Sequence, residues 1–159
     1  MTRSLGDPLS TSLIEGYLRT RGRRYFRGQH DGEFFFVANA HPWRLHVHLE
    51  ICPAQPDVLT IRVAPPCFFP ASDEARLAEL ADTSNGEHPE VAVVVHGSSD
   101  PSRIGVTVQQ SRRFGDPVRR DDLAAFIDRS IAAAIDFFGE LGPIVQSPST
   151  APPLLRDAG

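Results

Sequence analysis

The cleanest pattern in the chain lies between residues 43 and 51, where Trp43, Leu45, Val47, Leu49 and Ile51 alternate with Arg44, His46, His48 and Glu50. Successive side chains of an extended backbone point to opposite faces, so this alternation predicts a strand with one face in the core and the other toward water. Residues 53–56 begin and end in proline and turn the chain. Leu59, Ile61 and Val63 then return on the core side, with Thr60 and Arg62 opposite. Upstream, Phe34, Phe35, Phe36 and Val37 form a nearly unbroken apolar run within residues 33–39. Such a run predicts a strand covered at least in part on both faces. Asp31-Gly32 is a hairpin turn signal, and residues 24–27 read as a short strand leading into it. His41-Pro42 separates the two longer strands. A second hairpin is predicted around residues 97–101, with Val91, Val93 and Val95 facing the core on one strand and Ile104, Val106 and Val108 on the other.

Three segments have helical spacing instead. Leu13, Ile14, Tyr17 and Leu18 make the apolar stripe of a helix capped by Ser10 or Thr11 and ended by Gly22. Ser72 is placed to cap a second helix over residues 73–83, with Asp73 and Glu74 at the positive end of its dipole and Leu77, Leu80 and Ala81 inward. Asp121 or Asp122 is placed to cap the third and longest, which runs to residue 141 and turns Leu123, Phe126, Ile127, Ile131, Ala134, Ile135 and Phe138 to the core. Gly142-Pro143 stops it.

The predicted fold class is therefore α+β, with a mainly antiparallel sheet of about five to six strands and three helices packed on one face. The order is helix, three or four strands, helix, two strands, helix. Residues 10–142 form a single domain in this reading, residues 1–9 a short arm, and residues 143–159, with four prolines, a flexible tail. The open face of the sheet would carry Arg44, His46, His48, Glu50, Thr60 and Arg62.

Composition narrows the chemistry. A chain of 159 residues that is 41% hydrophobic can bury one sizeable core without help from a metal or a disulfide. All 16 basic residues are Arg, which excludes a Schiff-base lysine, a P-loop lysine and a lysine general base. The formal net charge of −4 argues against nucleic acid as the main ligand. Cys52 and Cys67 fall several times the ~6 Å bridging distance apart on the predicted strands, so free thiols and a reducing, cytoplasmic setting are expected. Residues 1–10 lack the apolar stretch of a secretory leader, and the chain has no 18-residue apolar run, so no membrane partner is expected.

Two clusters carry candidate chemistry. His46 and His48 share one strand face, about 6.6 Å apart along the strand, with Glu50 next in the row and His41 as a further ligand. Such a pair can chelate a divalent ion if other ligands arrive. The same residues are also what an ordinary solvated sheet face carries, so no metal and no cofactor is expected. Arg19, Arg21, Arg23, Arg24 and Arg27 lie within nine residues beside Tyr25 and Phe26, a composition that suits phosphate, nucleic acid or an acidic protein. With Arg44 and Arg62 they are the candidate partner-binding residues. Trp43, Phe68 and Phe69 belong either to an interface or to the core.

No catalytic residue is expected. The chain has no G-x-S-x-G, G-x-G-x-x-G, C-x-x-C or H-E-x-x-H motif. The consecutive residues His96-Gly97-Ser98-Ser99-Asp100 cannot converge as a relay from one tight turn. Asp121, Asp122, Asp128, Asp136 and Glu140 read as caps and as the polar side of a helix.

The order of elements resembles the YbjN family of bacterial proteins, also called sensory transduction regulators, with the fold of type III secretion chaperones. The resemblance covers residues 10–141: the first helix at 13–22, the strands through Val63, Leu77-Ala78-Glu79-Leu80-Ala81-Asp82-Thr83-Ser84-Asn85, and the last helix with its Ile131-Ala132-Ala133-Ala134-Ile135-Asp136-Phe137-Phe138 segment. It implies a non-enzymatic regulator, adaptor or chaperone-like protein that binds an unknown protein partner or a second copy of itself. A metal-dependent protein built on His46 and His48, and nucleic-acid or phosphate binding through residues 19–27, stand as the alternatives.

Overall fold

The computed structural model describes residues 7–141. The elements are α1 (Thr11–Thr20), β1 (Tyr25–Arg27), β2 (Glu33–Ala40), β3 (Trp43–Ile51), β4 (Val58–Ala64), β5 (Phe69–Pro70), α2 (Glu74–Glu87), β6 (Ala92–Gly97), β7 (Arg103–Arg113) and α3 (Arg120–Leu141). All seven strands join one antiparallel sheet in the order β1-β2-β3-β4-β7-β5, with β6 also paired to β7. The α+β class and the three helices agree with the sequence reading. The strand count exceeds it by the two-residue β5, which is too short for any periodicity to announce.

Register explains the core. Phe34, Phe36 and Ala38 of β2 lie opposite Leu49, Val47 and Leu45 of β3, and Val47 and Leu49 lie opposite Val63 and Ile61 of β4. All are buried in one cluster with Ile104, Val106 and Val108 of β7 and with Leu13, Ile14, Leu18, Ile127, Ile131, Ala134 and Phe138 from α1 and α3. The outer face of β2 is covered only in part: Phe35 points away from this cluster and is exposed, and Val37 is half-buried, because the core residues of α1 and α3 pack on the other side. Trp43 packs with both Phe69 and Phe138, and its indole donates a hydrogen bond to the Phe138 carbonyl at 2.9 Å. Phe68, by contrast, is exposed.

Helix starts differ in detail from the reading. Ser10 caps α1, accepting from the Leu13 amide at 3.3 Å. A single 3-10 turn, Ala71–Asp73, precedes α2, so Ser72 lies inside that turn and is not a cap. Asp121 and Asp122 sit in the first turn of α3, not before it, where they still face the positive end of the helix dipole. The Asn85 side chain at the end of α2 accepts from the Val93 amide at 2.7 Å and donates to the Val93 carbonyl at 3.1 Å, which occupies polar groups that an edge strand would otherwise present.

Asp7 bridges Val118 and Leu9 is buried, so the last part of the predicted arm is tied to the body. The predicted tail at 143–159 lies outside the described residues. Cys52 and Cys67 are unpaired. Among the described residues no helix is long and apolar enough to cross a membrane.

Candidate functional site

The sheet face away from the helices is electrically divided along β2 and β3. Across these strands the outward pairs are Glu33 with Glu50, Phe35 with His48, Val37 with His46, and Asn39 with Arg44. One end is therefore acidic and the other basic, with Phe35 stacked on His48 between them at 4.6 Å.

At the basic end an open groove of about 600 Å³ runs over β1, β2 and β3. Its walls include Arg21, Arg23, Arg24, Arg44 and His46 around Phe26 and Phe35, and no carboxylate lines it. Phe26 is 74% exposed and Phe35 41%. Two such rings on an open face have no core to fill, and beside cations they offer apolar contact and positive charge together. Arg21 is held by Asp128 at 2.7 Å. Arg23 lies over the Phe36 ring, 4.9 Å from its centre. Among the described residues Arg23, Arg24 and Arg44 make no ion pair.

The structure thus sorts the seven candidate arginines. All of Arg21, Arg23, Arg24 and Arg44 line the groove, but the Arg21 guanidinium is taken by Asp128 and that of Arg23 lies over Phe36. Arg19 and Arg27 turn instead to Glu15, with Arg27 at 2.5 Å and Tyr25 donating to the same carboxylate at 2.9 Å. The hydrogen bonds from Arg27 and Tyr25 hold the Glu15 carboxyl below its ordinary range. Arg62 belongs to the acidic end, 3.4 Å from Glu50. Phe35 is missed as a partner residue from sequence because a run of Phe looks like core until the register is known, whereas Phe26 stands out there by its place beside the arginines.

The acidic end is built by a cross-strand pair of like charges, Glu33 opposite Glu50, which by itself destabilises a sheet. Two imidazoles and Arg62 relieve it. His48 Nε2 lies 2.9 Å from Glu33 Oε2, and His30 Nε2 lies 2.8 Å from Glu50 Oε2 and 3.9 Å from Glu33 Oε1. The His48 hydrogen bond holds Glu33 below its ordinary range, and the His30 hydrogen bond does the same for Glu50. His30 is pushed up in turn, first by its bond to Glu50. His30 and Glu33 were not candidates from sequence. The loop at 28–32 folds His30 back over the sheet, helped by Gly32 at a φ of +89°, where a side chain would also press on Ile51.

Of the candidate metal ligands, His48 and Glu50 reach this cluster, while His46 faces the groove. His41 sits at the opposite tip of the β2–β3 hairpin. Seven residue steps of strand lead from Trp43, next to that tip, to Glu50, about 23 Å at the usual rise, so His41 cannot complete a site there.

No family model matches the chain, and a search of curated proteins finds no match. The architecture defines an α+β protein whose seven-stranded antiparallel sheet is covered by helices on one face and open on the other. Among solved structures that fold is shared with YbjN from E. coli, described as a putative transcription regulator, at a TM-score of 0.65 and 13% identity. The match covers 83% of this chain and 90% of that one. It bears out the resemblance at the level of the fold.

Proposed function

We propose that this chain is a non-enzymatic regulatory or adaptor protein that docks a short acidic and apolar segment of a partner protein in the groove over β1, β2 and β3. The observation that carries this is the groove's lining: Arg24 and Arg44, without ion-pair partners among the described residues, with Phe26 and Phe35, with Arg23 over the neighbouring Phe36 ring, and no carboxylate. A cationic, aromatic groove selects negative charge and apolar side chains together. The fold shared with YbjN supports a regulatory role. The unpaired cysteines support a reducing, cytoplasmic setting.

A long polyanion fits this face less well. The acidic pair Glu33 and Glu50 lies four residues along the strand beyond His46 and would repel phosphates that continue across the sheet, and the whole chain is acidic. A short segment of a partner avoids both. The test is a titration with a fluorescent peptide of alternating Glu and Leu, beside a single-stranded oligonucleotide, over a range of salt. Peptide binding that falls roughly tenfold in Arg24→Glu/Arg44→Glu supports the reading. Tighter binding of the oligonucleotide, with a steep loss of affinity in salt, overturns it in favour of nucleic acid. Recovery of a stoichiometric protein from lysate, lost in the same variant, would name the partner.

A further inference from the structure

His30, Glu33 and Glu50 offer one donor atom each, all within 4.8 Å of one another. We infer that these three side chains bind a divalent first-row transition cation, zinc by preference over magnesium, at the acidic end of the open sheet face.

The argument begins with the His30 ring. Its Nδ1 lies 2.8 Å from the Asp31 carbonyl oxygen, which can only accept, so Nδ1 carries the proton. Nε2 faces Glu50 at 2.8 Å and Glu33 at 3.9 Å, and in the metal-free chain it donates a proton to Glu50. A cation bound between them displaces that proton and takes the Nε2 lone pair. A ring nitrogen that donates to a backbone carbonyl is the arrangement that orients metal-bound histidines through their other nitrogen.

The distances agree. Ligands at 2.0–2.1 Å from a tetrahedral zinc are about 3.3 Å from one another. The His30 nitrogen lies 2.8 Å from one carboxylate oxygen and 3.9 Å from the other, on either side of that value.

Each carboxylate is also steadied through its second oxygen. His48 holds Glu33 Oε2 at 2.9 Å, and Arg62 lies 3.4 Å from both Glu50 Oε1 and His48 Nδ1. A donor on Nδ1 leaves the proton of neutral His48 on Nε2, so His48 orients Glu33 and is not itself a ligand. Gly28 leaves room for the Glu33 carboxylate, which a Cβ at that position would strike. One imidazole with two carboxylates suits zinc or manganese better than magnesium, which favours oxygen ligands alone. Three protein ligands leave a coordination position to water or to a group from a partner.

The test uses the full chain, stripped with a chelator, and titrates zinc chloride and magnesium chloride by calorimetry. One zinc per chain is expected, with no magnesium heat. Affinity should fall roughly tenfold or more in His30→Ala and in Glu50→Gln, and by a similar factor in the positioning variant His48→Leu. His46→Ala and Cys67→Ser, which lie outside the cluster, should bind as the wild type does. Circular dichroism on each variant separates loss of ligand from loss of fold. Absence of stoichiometric zinc, or zinc that survives both ligand variants in folded protein, overturns the assignment and leaves His30 as an imidazolium in a purely electrostatic cluster. Neither result touches peptide binding in the groove, which the Arg24→Glu/Arg44→Glu variant reads separately.

Discussion

Tyr17 of α1 donates its hydroxyl to the Asp128 carboxylate of α3 at 2.5 Å, and Arg21, one turn further along α1, grips the other oxygen at 2.7 Å. One acidic residue therefore ties two helices that are far apart in sequence. Tyr17 is buried, and burial together with the adjacent carboxylate pushes its hydroxyl well up, so it remains a donor at any ordinary pH. Tyr17→Phe is expected to lower stability by about 1 kcal/mol and Asp128→Ala by about 1–2 kcal/mol, measured from urea denaturation midpoints at neutral pH.

The same carboxylate sets an acid limit. Partial burial pushes Asp128 up, but the hydrogen bonds from Arg21 and Tyr17 outweigh it and leave the carboxyl below its ordinary range. A carboxyl depressed in the folded state binds more protons when unfolded. Its stabilisation is complete above the unfolded value, around pH 4, and is lost as pH falls through the folded value. Glu15, held down by Arg27 and Tyr25, has the same sign. The stability gap between wild type and Asp128→Asn should thus be constant at neutral pH and shrink below about pH 4, followed by urea midpoints across the acid range.

Phe26 and Phe35 offer a cleaner separation of folding from binding. Both rings stand on the open face, so Phe26→Ser/Phe35→Ser should leave stability within about 0.5 kcal/mol of wild type while abolishing peptide binding in the groove. A large fall in stability would mean that the rings pack where they are drawn exposed, and thermal unfolding of the double variant measures it.

The fold was legible because periodicity is a local property. Trp43 through Ile51 alternates over nine residues, and the burial of Leu45, Val47 and Leu49 follows it. The candidate sites were less legible because they depend on register. Glu33 and Glu50 are 17 positions apart and meet only through the pairing of β2 with β3. His30 joins them through a loop whose path no periodicity encodes. The five arginines of residues 19–27 are close in sequence, yet Glu15 takes two of them and Asp128 a third. Arg44, from another strand, joins Arg23 and Arg24 in the groove.

Trp43 is the single tryptophan of the chain, so its fluorescence reports directly on the seam between β3 and α3. Its indole packs on Phe138 at 5.8 Å between ring centres and on Phe69 at 6.4 Å. Phe138 is fully buried, and Phe138→Ala removes a ring that the surrounding helix and strands cannot replace. That truncation should cost about 3–5 kcal/mol, a large share of the roughly 5–15 kcal/mol that holds a domain folded. Trp43→Phe, which gives up one hydrogen bond and part of the packing, should cost nearer 1–2 kcal/mol. The emission of Trp43 should shift to the red in folded Phe138→Ala, as water reaches the vacated space beside the indole. A variant with unchanged emission and near-wild-type stability would show that α3 does not seat against β3 through this pair of rings.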